Sequence, residues 1–495
     1  MCISVFLSGC FGKKQVSEKT GWNYNDRKYG GVEYVKPNKE KTAPGLVFIP
    51  GGAFIMGQIA DDIGREWNNM PRRITLDSYY IDETEVTNQH YRDYLLWMGK
   101  VFGATPNIVK KALPDTLVWR RALAYNEPYV TTYLRHPAYN NYPVVGVTWE
   151  QANDYCLWRT DRVNEAALIK KGILSAPDYE AQQGSKNFNS DAFLAGQFEG
   201  EVKEGKLPKD IASNEARNVK FEDGILYPKY RLPTEAEFEY AARAEIGSTY
   251  EERTIERRLY GWDGTSVRDP SKKRRGQMMA NFQRGRGDLA GVAGGKQNDG
   301  EAITAPIRSF PPNDFGLYDM IGNVNEWVLD VYRPASFSEV EEFNPFRGNV
   351  FMDMKRNEDG SYVPKDSMGR MVFDTVKYVD RYNYQIGDNR DYRDGDLRSS
   401  IYYKQANEGT DSLKSNSNYV YYQGSGPTHE GMTTLISNKS RVYKGGGFQD
   451  RPYWLRPATR RYLDQDRAAV DIGFRCAMSS LGGENKVEGK KKKKK

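Results

Sequence analysis

The side chains with the most potential for chemistry lie in one short stretch near the carboxyl end of the chain. Three glycines, Gly445–Gly447, and the aromatic Phe448 are followed by Asp450, Arg451 and Tyr453. A carboxylate beside a guanidinium could transfer protons, but such neighbours form structural ion pairs more often than acid–base pairs. We therefore expect a salt bridge between Asp450 and Arg451 and assign this stretch no catalytic residue.

Several common catalytic signatures are missing from the sequence. The three histidines, His90, His136 and His429, are scattered, which argues against a zinc hydrolase. Neither the glycine-rich phosphate loop nor the Gly-x-Ser-x-Gly elbow occurs. The segment around Gly285 and Gly287 loosely fits a dinucleotide-binding pattern, but polar residues precede it, so we expect a plain loop there.

Helix start signals indicate the elements that position this stretch. Thr234 and Glu237 have the spacing of a capping box, in which each side chain binds the other residue's backbone amide. Thr148 and Gln151 form a second box, and Thr87 is suited to capping a third helix. We interpret these residues as determinants of the fold and give them no catalytic role.

Six sequence blocks occur in the order typical of one enzyme family. By these blocks the chain, from about residue 45 to residue 480, resembles the formylglycine-generating enzymes, also called sulfatase-modifying factors. The resemblance implies one large α+β domain of the C-type-lectin-like, sulfatase-modifying-factor fold, rich in loops and enlarged by insertions. The blocks are Gly45–Gly57, Ile81–Asn88, Arg231–Arg243, Asn313–Trp327, Lys444–Leu455 and Gly473–Ala477.

The same resemblance implies that the enzyme chemistry has been lost. Members of the family bind copper(I) through two cysteines five residues apart in the block that begins at Lys444. Asp450 and Leu455 stand at those two positions, and Gly447 replaces a serine. Copper(I) requires soft thiolate or thioether ligands, which an Asp and a Leu cannot supply. We therefore predict a pseudoenzyme with no catalytic cofactor.

Two of the four cysteines in the chain match other positions of the family. Cys156 and Cys476 correspond to a structural disulfide, so the resemblance predicts that these two residues are bridged. Two buried free thiols are the alternative. An oxidising compartment would favour the bridge.

Two calcium ions are bound in the family, and the resemblance assigns candidate ligands here. Asn281 and Asp299 match the first site, although the loop between them is longer than usual, and Asn323 and Glu326 match the second. Oxygen-bearing side chains suit Ca²⁺, and any such ion would be structural. The alternative is that these residues cap turns without a metal.

The amino terminus resembles a bacterial lipoprotein signal. Leu7-Ser8-Gly9-Cys10 matches the lipobox, in which Cys10 receives the lipid. The preceding apolar stretch is shorter than the roughly 7–15 residues of a complete signal, so we interpret residues 1–10 as a signal remnant. A chance apolar start is the alternative. Lipidation predicts anchoring in the outer membrane with the body facing the periplasm, after an N-terminal linker over residues 11–44.

Composition and charge limit the range of partners. The chain has 495 residues, is 38% hydrophobic and carries a formal net charge of +6. Six lysines at the carboxyl terminus, Lys490–Lys495, account for this excess, so the basic balance does not indicate nucleic-acid binding. We expect residues 481–495 to be a disordered basic tail.

Three insertions enlarge the family domain, over residues 101–141, 161–229 and 334–440. The first and third are rich in tyrosine, a residue favoured in protein interfaces. The alternative is that these tyrosines cover the enlarged domain itself. Because long connections are uncommon in compact domains unless they are functional, we favour interaction with partners. The second insertion begins as a helix and then becomes polar.

Together, the lipobox, the lost cysteines and the insertions resemble the gliding-motility lipoprotein K family, also called PorK, of the type IX secretion system. The resemblance implies a subunit that self-associates into a ring in the periplasm, below the outer membrane, with a PorN/GldN-type partner. Two other functions stay open: a protein-modifying oxidase, and a peptide-binding pseudoenzyme that uses the old cleft.

Overall fold

Helices and short strands alternate through the computed structural model, which describes residues 15–29, 31–35, 42–58, 62–65, 68–211, 213–247, 258–285, 303–333, 342, 345–348, 350, 352–375 and 439–482. The mixed helical and sheet composition predicted from the sequence is confirmed. The helices are Asn88–Phe102 (α1), Pro106–Ala112 (α2), Glu127–Thr132 (α3), Trp149–Lys171 (α4), Ser190–Leu194 (α5) and Glu235–Arg243 (α6).

The strands are short and lie far apart in the sequence. In chain order they are Leu46–Ile49 (β1), Gly52–Met56 (β2), Arg72–Leu76 (β3), Tyr79–Asp82 (β4), Tyr230–Arg231 (β5), Asn325–Val331 (β6), Met352–Met354 (β7), Phe373–Thr375 (β8), Ser440–Lys444 (β9), Arg461–Asp464 (β10), Ile472–Gly473 (β11) and Ala477–Ser479 (β12).

Two four-stranded sheets organise these strands. One has the order β1-β4-β12-β5, and the other has the order β10-β9-β6-β11. In the first sheet Ala477 is paired with both Ile81 and Arg231, so the last strand joins the two ends of the domain. In the second, β9 lies between β6 and β10 and leads directly into the glycine-rich stretch. The pairs β2-β3 and β7-β8 form two separate two-stranded antiparallel sheets.

The predicted helix starts are confirmed. Thr234 and Thr148 each accept a hydrogen bond from the backbone N–H three residues ahead, and Glu237 and Gln151 return bonds to the capping residues. The Thr87 hydroxyl accepts from the N–H of the third residue after it. Local hydrogen bonding over three residues is sufficient to define these ends, which is why the sequence pattern found them.

The insertion over residues 161–229 differs from its expected polar character. Helix α4 continues through Lys171 and ends at Gly172, whose φ of 76° is left-handed. The residues that follow form a small apolar core of their own against the end of α4. Its buried members are Leu168, Ile173, Leu174, Phe188, Phe193, Val219 and Leu226. The apolar residues that close this core occur singly or in adjacent pairs, so no periodic pattern reveals it.

No helix in the described ranges is long and apolar enough to cross a membrane. The longest of them is α4, which begins at Trp149 and extends over 23 residues. Charged residues are distributed along α4, and its buried positions pack against other parts of the domain.

Candidate functional site

The site begins where β9 ends and the chain turns through three glycines. Gly445 and Gly446 have φ values of 97° and 74°, a conformation that side chains with a Cβ rarely adopt. A Cβ at Gly446 would lie 2.8 Å from the Trp454 carbonyl oxygen and 2.9 Å from a methyl group of Leu455. Glycine is therefore required here, where two parts of the chain approach each other closely.

Asp450, at the first position where the family resemblance predicts a copper-binding cysteine, is the centre of a polar cluster. Arg461 donates to both of its carboxylate oxygens, at 2.7 and 2.5 Å. The Asn325 side-chain amide and the Gly447 backbone N–H donate to Oδ2 at 2.9 and 2.8 Å. Asn325 itself accepts from Arg461 at 2.6 Å and donates to Asp471 at 3.0 Å. Every side chain in the cluster is thus held by at least one other member.

The salt bridge expected at Asp450 is present, but the partner was predicted wrongly. Arg451, the sequence neighbour, is exposed, whereas Arg461 comes from β10 and packs over the rings of Tyr443 and Trp454. The pairing of β10 with β9 brings Arg461 beside Asp450. The side chains of adjacent residues in an extended chain point to opposite sides, which separates Arg451 from Asp450.

The charge state of Asp450 follows from the cluster. Burial by itself would raise the pKa of this carboxyl, but hydrogen bonds and the charge of Arg461 outweigh burial, so its pKa is lowered. The pKa of Asp471 is raised by burial and by the neighbouring charge of Asp450. A carboxylate that stays ionised and tied to a guanidinium is unsuited to acting as a general acid or base.

Leu455, at the second position where the family resemblance predicts a copper-binding cysteine, belongs to the hydrophobic core. It is fully buried at the end of a 3₁₀-helix, Pro452–Leu455, and packs within the same apolar cluster as Phe238. An aliphatic side chain in this position offers no ligand atom to a copper ion. The two positions that would have to converge on one metal instead serve an ion pair and a core.

The first insertion, 101–141, contacts the turn formed by Phe448 and Gln449, next to Asp450. Trp119 is buried and lies near the ring of Phe448, and Arg121 hydrogen-bonds to the side chain of Gln449. Tyr133 is also buried and donates to the Pro143 carbonyl. These aromatic residues therefore serve the domain's own core, in agreement with the alternative considered above.

A buried ion cluster behind β9 explains the charged residues of the Arg231–Arg243 block. Lys444 donates to Glu235 and Glu239 at 3.2 and 2.9 Å, and its side chain has no exposed surface. Arg460 pairs with Glu235 at 2.7 Å, and Arg243 pairs with Glu239 at 2.9 Å. No partners were predicted for these glutamates from the sequence, and their charge on a short buried helix was the signal that could have suggested such partners.

Asp330 makes the stability of this region dependent on pH. Burial, followed by the charge of Glu235, raises its pKa to about 7. Its two oxygens accept from the backbone N–H groups of Arg347 and Glu235, at 3.0 and 2.7 Å. The folded protein keeps Asp330 protonated at pH values above its unfolded pKa of about 3.9. The stabilisation that this proton provides is therefore fully present at low pH and is lost as the pH rises towards 7.

We expect Asp330→Asn to flatten this dependence. The substitution removes the titration, so the fall in the thermal midpoint between roughly pH 4 and pH 7 becomes smaller than in the unmodified protein. Scanning calorimetry across that range measures both proteins, with the exposed Asp466→Asn as the control. An unchanged pH dependence in the Asp330 variant would show that this carboxyl does not titrate there.

The two cysteines predicted to be bridged face each other. Their sulfur atoms lie 3.3 Å apart, and both residues are buried as free thiols. This separation exceeds the about 2.05 Å of a disulfide bond, so the structure has neighbouring thiols where the sequence predicted a covalent bridge. Closure of Cys156 and Cys476 in an oxidising compartment stays a prediction.

Burial and the hydrogen bond to Cys476 raise the pKa of Cys156, so its reactive thiolate is scarce. We expect reduced native protein to resist iodoacetamide at this position and unfolded protein to react fully. Protein from an oxidising compartment should carry a mass lower by the pair of thiol hydrogens. Mass spectrometry with and without reductant measures both effects, and rapid native alkylation of Cys156 would contradict them.

The described calcium candidates are engaged by protein partners. Asn281 donates to Asn323 Oδ1 at 3.3 Å, and the same oxygen accepts from the Ala305 N–H at 2.7 Å. Arg475 donates to both oxygens of Glu326, at 2.6 and 2.7 Å. Across the described ranges, no group of three His, Cys, Asp or Glu side chains is arranged to hold a metal. This arrangement does not offer these oxygens as ligands, and calcium binding stays a prediction for equilibrium dialysis to test.

Some predicted residues lie outside the described residues. They are the lipidation site Cys10, the calcium candidate Asp299 and much of the third insertion, including its tyrosines from Tyr378 to Tyr422. Their roles stay predictions.

Comparison with known families agrees with this architecture. The family described as the sulfatase-modifying factor enzyme 1-like domain matches residues 32–480. The match spans most of the chain and includes both sheets and the Asp450 cluster. The chain therefore belongs to the sulfatase-modifying factor family.

Relatives include both enzymes and inactive proteins. The chain is 32% identical over 353 residues to the formylglycine-generating enzyme of Streptomyces coelicolor, covering 66% of this chain and 82% of that protein. It is 25% identical over 341 residues to the mouse enzyme, covering 66% and 71%. It is also 24% identical over 335 residues to the mouse inactive C-alpha-formylglycine-generating enzyme 2, covering 64% and 77%. Family membership is thus compatible with either an active or an inactive protein.

Proposed function

We propose that this protein is a non-catalytic, lipid-anchored outer-membrane subunit of the type IX secretion and gliding-motility machinery. In this proposal it self-associates into a periplasmic ring together with a PorN/GldN-type protein, and its C-type-lectin-like domain serves as a scaffold. Cys10 carries the lipid, and the insertions make the contacts between subunits. Calcium, if bound, is structural.

The loss of catalysis is supported by one observation above all others. Asp450 and Leu455 replace the ligands of copper(I), and both side chains are committed to structural roles. Asp450 is in an ion pair with Arg461, and Leu455 is fully buried in the core. Neither side chain can move towards a shared metal without breaking those contacts, which supports a structural role for both positions.

A role in assembly is supported by the tip of insertion 101–141, which consists of Leu117, Leu123 and Tyr125. These side chains have relative exposures of 54%, 110% and 86%, respectively. Leu123 also has a left-handed φ of 64°, which is costly for a residue with a Cβ. Exposed apolar groups held in a strained turn are typical of a surface that another protein covers.

The proposal is tested by assembling the purified chain with its PorN/GldN-type partner and measuring mass by photometry. A head-to-tail contact that closes gives a large, discrete ring. We expect such a species with the unmodified protein and its loss in a Leu123→Asp, Tyr125→Asp variant. Leu96→Asp on α1, where the leucine is 62% exposed, is the matched control. Only monomers and heterodimers with the unmodified protein would refute ring formation.

The two alternative functions have different signatures. A protein-modifying oxidase would consume oxygen with copper and a cysteine-containing peptide, which the unmodified chain should not do. A peptide-binding pseudoenzyme would lose partner binding in Trp454→Ala and keep it in the insertion variant.

Membrane fractionation of Cys10→Ser tests the anchor separately, because this variant should leave the membrane fraction.

A further inference from the structure

The residues that precede the family domain have a defined structure of their own. Val16 forms a bridge with Asn23, and the rings of Tyr24 and Tyr34 stack with centroids 5.1 Å apart. The Asn25 side chain donates to the Tyr34 carbonyl at 2.9 Å. Residues 15–29 and 31–35, which we term the N-terminal segment, therefore form a folded unit where the sequence predicted a linker.

This segment is attached to the second insertion through Arg217. Arg217 donates to Glu33 at 2.5 Å and to both oxygens of Asp223, at 2.9 and 2.7 Å. The side chains of Arg217 and Asp223 are only 11% and 9% exposed. Asp223 is itself held by the Lys220 backbone N–H at 2.8 Å. The insertion thus presents a preoriented guanidinium to the carboxylate of Glu33.

A second attachment holds the chain after the segment. The Pro44 carbonyl accepts from Arg159 at 2.9 Å and from the Tyr230 hydroxyl at 3.2 Å. Arg159 lies on α4, which continues into the insertion, and Tyr230 begins the strand that follows it. The chain is therefore fixed at two points, Glu33 and Pro44, along the surface made by α4 and the insertion.

We propose that insertion 161–229 is the docking platform for the N-terminal segment and so forms the membrane-proximal face of the protein. The orientation rests on the proposed lipid at Cys10. An extended chain covers at most about 3.5 Å per residue, so Gln15 lies within ~17 Å of the anchor. Arg217 is then a positioning residue, since it determines which face of the domain is turned towards the lipid headgroups.

Docking can be tested without any lipid. In the full chain, Glu33→Lys places a like charge against Arg217, and we expect faster hydrogen exchange in residues 15–35 measured by mass spectrometry. Glu18→Lys, an equal change at an exposed position of the same segment, is the control and should leave exchange unaltered. Equal exchange in Glu33→Lys and the unmodified chain would overturn the docking proposal.

Orientation is tested with the full chain coupled through Cys10 to a maleimide lipid in phosphatidylethanolamine vesicles, in a Cys2→Ser background. A diazirine on the lipid headgroup is photoactivated, and labelled residues are identified by mass spectrometry. We expect label on exposed residues of the insertion, such as Lys203, Lys209 and Lys220, and its loss in Glu33→Lys. Label confined to other faces would overturn the orientation. Because the lipid is attached chemically, failure of natural lipidation would affect only the proposed function.

Discussion

Replacing Lys444 with methionine is expected to lower the free energy of unfolding by about 3–5 kcal/mol. The Lys444 ammonium is fully buried between Glu235 and Glu239, and removing it leaves two buried carboxylates with less compensating charge. Burial by itself would raise the pKa of Glu239, but Lys444 and Arg243 outweigh it and hold that pKa at about 2. The loss is comparable with the whole stability of a marginal domain, which is about 5–15 kcal/mol.

Urea unfolding monitored by tryptophan fluorescence measures this effect. Lys229→Met is the matched control, because Lys229 pairs with Asp191 while its side chain is 51% exposed. Exposed ion pairs contribute about 0–1 kcal/mol, so the control should unfold near the midpoint of the unmodified protein. A Lys444 variant as stable as the control would show that Arg460 and Arg243 alone balance the two glutamates.

Restoring both cysteines, as Asp450→Cys with Leu455→Cys, is expected to destabilise the protein and to fail to restore oxidase activity. The first change removes the counter-ion of Arg461, whose side chain is 21% exposed, at a cost of about 3 kcal/mol or more. The second change removes methyl groups from a fully buried position and leaves a cavity in the core. The Leu455 side chain also lies close to Gly446, and the shorter cysteine would lose that contact.

Copper content by mass spectrometry and oxygen uptake with a cysteine-containing peptide measure the outcome. The two single variants measure separately the stability lost by each substitution. Unfolding measurements show whether each variant is folded before activity is assayed. Stoichiometric copper and oxygen consumption in the double variant would contradict this prediction. That result would mean that the fold keeps the enzyme geometry and that only the two ligands were lost.

The contrast between Asp450 and the helix caps shows where sequence reasoning is reliable. Thr234 and Glu237 are three residues apart, and a helix start brings them together whatever surrounds it. Asp450 and Arg461 are joined only because β9 and β10 pair side by side. Arg461 thereby displaces Arg451, the neighbour in sequence, as the partner.

The second insertion shows the same limit. The sequence predicted a helical start followed by polar residues, and the structure has a small core that includes Phe188 and Phe193. Its apolar residues occur singly or in adjacent pairs with no sustained helical or strand period, so the sequence offers no periodic signal of burial. Only the path of the chain back onto the end of α4 brings these side chains together.

The sequence by itself determined the family and the helix starts, because both depend on residue types at short or fixed spacing. Tertiary structure alone decided the partners of the residues in the glycine-rich block. Asp450 became an ion-pair partner of Arg461, Leu455 became core, and Lys444 became the counter-ion of two glutamates more than 200 positions away. The energy of such contacts depends on burial and distance, which are set when separate strands and helices pack together.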